Sequence, residues 1–277
     1  MNMTGFIDAL AAKGGYVNAG DYRGEDGLLR CGKCHRQKEM RLDGFFGGRI
    51  VPIICKCVED ERERYAEEQR SLRIKQLRRN CIPQENMRIM CLKNADDSKP
   101  VQIARKYAEN FEKYRDENIG LIFWGSCGTG KTFAAMCIAN ALIDREIGVW
   151  FCSCADLVSM LADRDRRFET LERVTRTPLL ILDDLGAERE TEYAREQLCR
   201  AIDARIDSGK PLVCTTNYSY EEMKTARERA QARIFDRVLG ACIPIKVVGT
   251  SRRVSDAEKK LSEFRSLGSL TEGAVTK

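Results

Sequence analysis

Gly125-Ser126-Cys127-Gly128-Thr129-Gly130-Lys131-Thr132 has the form G-x-x-x-x-G-K-T, the pattern of a phosphate-binding P-loop. The apolar run Gly120-Leu121-Ile122-Phe123-Trp124 leads into it, as a buried strand would. After it, Ala134, Ala135, Ile138, Ala139, Leu142 and Ile143 share one helical face. Strand, loop and helix in that order give the motif its context. The glycines let successive N–H groups turn toward phosphate oxygens, and the helix adds the positive end of its dipole. Lys131 is then placed for the β- and γ-phosphates of a nucleoside triphosphate such as ATP, and the Thr132 hydroxyl for Mg²⁺. A Gly-rich turn without a ligand is the alternative.

Two further strands carry matching chemistry. Leu179-Leu180-Ile181-Leu182-Asp183-Asp184 is a buried run that delivers two carboxylates to its C-terminal end. Asp183 is the candidate for Mg²⁺ and Asp184 for activating water. The bland reading of the acids is a helix N-cap. Leu212-Val213-Cys214-Thr215-Thr216 ends in Asn217, whose neutral amide can orient water or a terminal phosphate. Val149-Trp150-Phe151-Cys152 and residues 243–248 read as strands, and residues 191–206 as a helix. Alternating strands and helices predict an α/β fold with a parallel sheet flanked by helices. Residues 101–114 have helical spacing through Ile103, Tyr107 and Phe111, which are either core or neighbours of the adenine.

The cysteines form a second constellation. Cys31-Gly32-Lys33-Cys34 is C-x₂-C, and Cys55-Lys56-Cys57 is C-x-C, one residue tighter than the usual second knuckle. The spacing suits a four-thiolate zinc ribbon, with a hairpin through Gly44, Gly47, Gly48 and the strand-like Ile50-Val51-Pro52-Ile53-Ile54. The adjacent His35 is an alternative ligand, and four unliganded thiols the plainest reading. Cys152 and Cys154 have no second pair nearby and read as structural.

Composition bounds the rest. The chain has 277 residues, 43% of them hydrophobic, and a formal net charge of +5. That supports a packed core and permits nucleic-acid contact without requiring it. The apolar runs fall far below the roughly 18 residues of a membrane span. Met1 opens a segment with neither a basic n-region nor a long apolar stretch, only a short amphipathic piece at residues 6–10, so a cytoplasmic protein is expected. Thirteen cysteines without a secretion signal argue against a disulfide framework. Residues 58–80 are charge-dense with few apolar positions, and predict an exposed helix ended by Pro83. These shifts divide the chain into a Cys₄ zinc-binding unit over 1–60, a charged helical linker over 61–85, a nucleotide-binding domain over 86–254 and a polar tail over 255–277.

The P-loop, the Asp183-Asp184-Leu185-Gly186-Ala187 stretch, Thr215-Thr216-Asn217, Arg233-Ile234-Phe235-Asp236-Arg237 and Gly249-Thr250-Ser251-Arg252-Arg253 stand in a telling order. Together they resemble the DnaC/DnaI-type helicase loaders, AAA+ ATPases related to DnaA and to the transposition helper IstB. The cysteine cluster resembles the zinc-binding N-terminal domain of the DnaI branch. The resemblance implies an AAA+ core that hydrolyses ATP with Mg²⁺ and self-associates. It implies binding to a hexameric replicative helicase through residues 1–60, and to single-stranded DNA through an arginine-bearing insert at 155–176. By position, Asn217 resembles the sensor-1 residue. Arg237 resembles an arginine finger acting on a neighbouring subunit's ATP, and Arg253 the sensor-2 arginine. Arg233 and Arg252 are the near alternatives. Asp184 departs from the usual Glu, which implies slow hydrolysis. An IstB-like transposition helper and a zinc-bearing scaffold with little turnover are the competing expectations.

Overall fold

The computed structural model describes residues 17–42, 47–187, 191–251, 257–258 and 260–264. Arg252, Arg253, Gly44, the piece at 6–10 and most of the polar tail lie outside them. The chain divides into two compact units, Met1–Arg73 and Ile74–Lys277.

In the first unit, β1 (Tyr22–Arg23) pairs antiparallel with β2 (Leu29–Arg30). The expected hairpin between the cysteine pairs is β3 (Glu39–Leu42) against β4 (Arg49–Pro52), with Met40 opposite Val51. Among the described residues, its buried apolar side chains are Leu28, Leu29 and Val51, with Cys31 and Cys55. Buried charge completes it. Asp21 takes the Lys38 ammonium at 2.5 Å, and Glu39 accepts the Leu29 N–H at 2.9 Å. A unit this size rarely holds on apolar burial alone.

Helix α1 (Lys56–Cys81) is the predicted exposed helix, starting two positions earlier. Among its residues only Cys81 is buried, because the sequence offers no apolar stripe.

The second unit runs α2 (Glu85–Arg88), α3 (Lys99–Glu109), α4 (Phe111–Asp116), β5 (Gly120–Trp124), α5 (Lys131–Ile143), β6 (Val149–Ser153), α6 (Cys154–Ala162) and α7 (Arg167–Arg176). It continues through β7 (Leu179–Leu185), α8 (Glu192–Asp207), β8 (Leu212–Thr216), α9 (Tyr220–Lys224), α10 (Arg229–Ala241) and β9 (Cys242–Lys246). The five long strands form one parallel sheet in the order β6-β7-β8-β5-β9. One apolar cluster joins α3 and α5, and another joins α6, α8 and α10, so both faces are covered, as a parallel sheet requires. Cys152 and Cys154 are buried in the second cluster.

Three expectations shift. The helix foreseen over 101–114 breaks at Asn110, whose backbone leaves helical values at φ −106° and ψ 25°. Tyr107 and Phe111 are buried in the core, so the adenine reading of that face falls away. The last strand ends at Lys246 rather than 248.

One polar residue holds the sheet's second face. Arg205, at the end of α8, is fully buried. Its guanidinium donates to the carbonyls of Val174 (2.8 Å), Thr177 (2.6 Å), Pro178 (3.1 Å) and Pro211 (2.6 Å). These fasten the end of α7 and the approaches to β7 and β8. Burial draws the guanidinium pKa down to about 10.

Candidate functional site

The P-loop joins β5 to α5, and its geometry needs its glycines. Gly125 has φ +142°, and a Cβ there would lie 2.3 Å from the Val247 carbonyl oxygen. Gly130 caps α5 in the left-handed region at φ +101°. Lys131 is buried, and its ammonium donates to the carbonyls of Gly125 (2.9 Å) and Ser126 (2.8 Å) and to Asn217 Oδ1 (2.7 Å). All three acceptors are neutral, so the lysine brings positive charge to the loop undiminished by them.

Strand order explains the last contact. Because β8 lies between β5 and β7, Asn217 leaves the sheet between the P-loop and the acids. On the other side of β8, Thr132 Oγ1 donates to Asp183 Oδ1 at 3.0 Å, and Thr215 Oγ1 donates to the same oxygen at 2.6 Å. Burial pushes the Asp183 carboxyl above its ordinary range, and the Thr215 bond opposes this. A buried carboxylate beside a hydroxyl suits a hard cation, whose charge would restore the ionised form; the pair Thr132 and Asp183 fits Mg²⁺.

Asp184 is placed by an irregularity that the sequence did not announce. Between Leu182 and Leu185, β7 carries one more residue than β8, and Asp184 takes φ +55°. Its N–H is anchored on Thr215 Oγ1 at 3.0 Å, and its side chain is exposed. The bulge therefore turns the second acid out of the strand into the cleft.

A cavity of about 390 Å³ opens here, lined by Cys127, Gly128, Lys131, Thr132, Asp184 and Asn217 among others. Gly130 completes the loop side, and the opposite wall is Asn86, Met87, Met90 and Phe133. Sequence reading placed no site residue in 86–90. The buried Asn140 on α5 holds this wall, donating its amide to the carbonyls of Met87 (3.2 Å) and Met90 (2.9 Å). A lone Asn on an otherwise apolar helix face was the available signal. Gly125, Ser126, Thr129 and Asn217 line a second cavity of similar size. Arg237 lines neither; it lies on α10 beside Asp203.

In the first unit, the sulfurs of Cys31, Cys34, Cys55 and Cys57 lie within 4.8 Å of one another. The Arg36 N–H draws the Cys34 thiol down to about 7, while Cys34 itself pushes the Cys57 thiol up to about 12. Four thiols this close cannot all ionise without a cation, and the donor set fits tetrahedral Zn²⁺. His35 stands outside this group, with Nδ1 3.1 Å from the Tyr22 hydroxyl.

Residues 59–260 match the family described as IstB-like ATP binding protein. The chain belongs to the IstB-like ATP-binding family. This family member is 32% identical over 147 residues to the replicative helicase loader DnaI of Bacillus subtilis (strain 168), covering 48% of this chain and 47% of that one. To the replicative helicase loader DnaC of Escherichia coli (strain K12) it is 33% identical over 168 residues, covering 58% and 65%. The likeness thus spans from about half to just under two-thirds of these relatives. A crystal structure of the DnaC helicase loader superposes with TM-score 0.52 at 26% identity, over 60% of this chain and 100% of that one. A crystal structure of DnaI superposes with TM-score 0.51 at 24% identity, over 61% and 93%, and shows the shared fold. The IstB-like core is an AAA+ P-loop sheet. Among the described residues, no helix is long and apolar enough to cross a membrane.

Proposed function

We propose that this protein is an ATP-dependent loader of a hexameric replicative helicase onto single-stranded DNA, acting in the cytoplasm. The observation that carries the reading is its likeness to two replicative helicase loaders, in a chain that holds a P-loop cleft. Residues 1–60, organised by a Cys₄ zinc site, are the helicase-binding unit; 61–85 are the linker, 86–254 the ATPase, and 255–277 a tail.

In the cleft, the loop N–H groups and Lys131 bind the phosphates, and Asn217 orients the attacking water while sharing the lysine. Mg²⁺, when bound at Thr132 and Asp183, neutralises charge on the phosphate oxygens. Asp184 accepts the water's proton, and Arg237 from a neighbouring subunit stabilises the transferring phosphoryl group. Arg253 is the sensor in its own subunit. Asp184 is shorter than the usual Glu, so slow, DNA-stimulated hydrolysis follows, and hydrolysis releases the helicase.

The exposed Phe168 on α7 supports DNA contact, with the exposed Arg164 and Arg166 close by in sequence. An aromatic face beside cations stacks bases and attracts phosphates. Arg173 is spent otherwise: it lies 4.5 Å over the Trp150 ring and donates to the Asn80 carbonyl.

The test is a pull-down with the host's hexameric replicative helicase, with and without ATP. A complex that needs residues 1–60 is expected, and no complex in either state would sink the proposal. Lys131→Ala is expected to abolish ATP binding. Arg237→Ala is expected to spare ATP binding and remove oligomer-dependent hydrolysis. A second reading, a transposition helper, is favoured by 29% identity over 150 residues to an IS232 putative ATP-binding protein of Bacillus thuringiensis. Preference for duplex over single-stranded DNA, with no helicase complex, would select it.

A further inference from the structure

Arg233 and Arg237 stand four residues apart on α10 and share one acid, Asp203 on α8. They use it differently. Arg233 reaches Asp203 Oδ2 through a terminal nitrogen, Nη2, at 2.8 Å. Arg237 meets Oδ1 through Nε at 3.0 Å. Both arginine side chains are exposed, at 62% and 50%, while the Asp203 side chain is mostly covered, at 20%.

The difference matters for catching a phosphate. A guanidinium grips an oxyanion with two parallel N–H groups. Arg237, met at Nε, makes no hydrogen bond through Nη1 or Nη2 among the described residues. Arg233 has already committed one terminal nitrogen. Oδ1 is buried and receives no aligned hydrogen bond, so Arg237 is held there by charge rather than by a directed bond. Swinging toward an anion then breaks no well-formed hydrogen bond. Two guanidiniums on one carboxylate also leave this group of three with one net positive charge. Neither arginine lines the cavities beside its own P-loop.

We propose that Asp203 is a positioning residue for phosphoryl transfer, holding Arg237 rather than Arg233 with its terminal edge outward for the terminal phosphate of a nucleoside triphosphate on a second copy of this chain. The inference rests on the reading above that Arg237 acts between subunits.

The experiment measures ATP turnover of the full-length protein at rising protein concentration, with ATP affinity measured alongside as a check on folding. Arg237→Ala is expected to lose about 1000-fold of the concentration-dependent rate. Asp203→Asn should lose about 10- to 100-fold with ATP affinity unchanged. Arg233→Ala should lose no more than about fivefold. Arg237→Lys, which has no Nε and no fork, should fail like the alanine variant.

Mixing separates positioning from folding. Lys131→Ala subunits retain Arg237 and should restore turnover to Arg237→Ala subunits. Subunits carrying both Lys131→Ala and Asp203→Asn should not. If Asp203→Asn keeps wild-type turnover, or the doubly substituted subunits restore activity as well as the singly substituted ones, the role of Asp203 is overturned while the between-subunit reading stands. Full turnover by Arg237→Ala would overturn both, and full turnover by Arg237→Lys would overturn the Nε hold while leaving the between-subunit reading.

Discussion

Asn217 Oδ1 lies 2.7 Å from the Lys131 ammonium, although the two residues are 86 positions apart in the chain. The tip of β8 thus closes on the P-loop and ties the end of one strand to the charge that faces the phosphates. Asn217→Ala is expected to leave ATP affinity within about fivefold and to lower turnover by about 10- to 100-fold, because water orientation is lost while the lysine keeps two carbonyl partners. Equilibrium binding of a fluorescent ATP analogue and phosphate release check this. An equal loss in affinity and none in turnover would show that Asn217 serves the lysine alone.

Thr132 and Asp183 give the second prediction. Asp183→Asn removes the charge that faces a cation and keeps the shape. ATP affinity measured with and without Mg²⁺ should show the metal-dependent gain in the native protein and none in the variant. A variant that still binds more tightly with Mg²⁺ would move the metal elsewhere.

For the cysteine unit, about one equivalent of zinc per chain is expected by elemental analysis. A strong chelator should unfold this unit cooperatively, since few of its described residues are both apolar and buried. Cys31→Ser should lower zinc content while leaving ATP binding by the second unit intact. Zinc well below one equivalent, with chelator having no effect, would leave the four thiols without a metal role.

Phe168 is 79% exposed, so Phe168→Ala should not change the melting temperature. Single-stranded DNA affinity should fall by about 10-fold, the weight of roughly one stacked base. Fluorescence anisotropy with a labelled oligonucleotide measures it; unchanged affinity would remove the α7 surface from the DNA path.

Arg205→Leu should destabilise the second unit by about 3 kcal/mol or more, since buried carbonyls at Val174, Thr177, Pro178 and Pro211 lose their donor. Arg200→Ala, on the exposed side of the same helix, should cost about 0.5 kcal/mol or less. Denaturant titration compares the two. Near-equal effects would mean that the Arg205 clamp is energetically idle.

Motifs whose geometry is local were legible in the chain itself. The P-loop glycines set their own turn, four apolar residues before Asp183 specify a buried strand, and the cysteine spacing prescribes two knuckles joined by a hairpin. Each depends on neighbours within a few residues, so pattern alone determines it. Strand order is different, because it is settled by which apolar faces pack together across the whole unit. That packing put β8 between β5 and β7 and brought Asn217 to Lys131. It also inserted the bulge that turns Asp184 outward, buried Tyr107 and Phe111 away from the cleft, and gave the cleft wall to Met87 and Met90. The resemblance offered Arg233 and Arg237 as near alternatives for one role; only the packing of α10 on α8 set Asp203 between them and distinguished the arginine held by Nε from the one held by its tip.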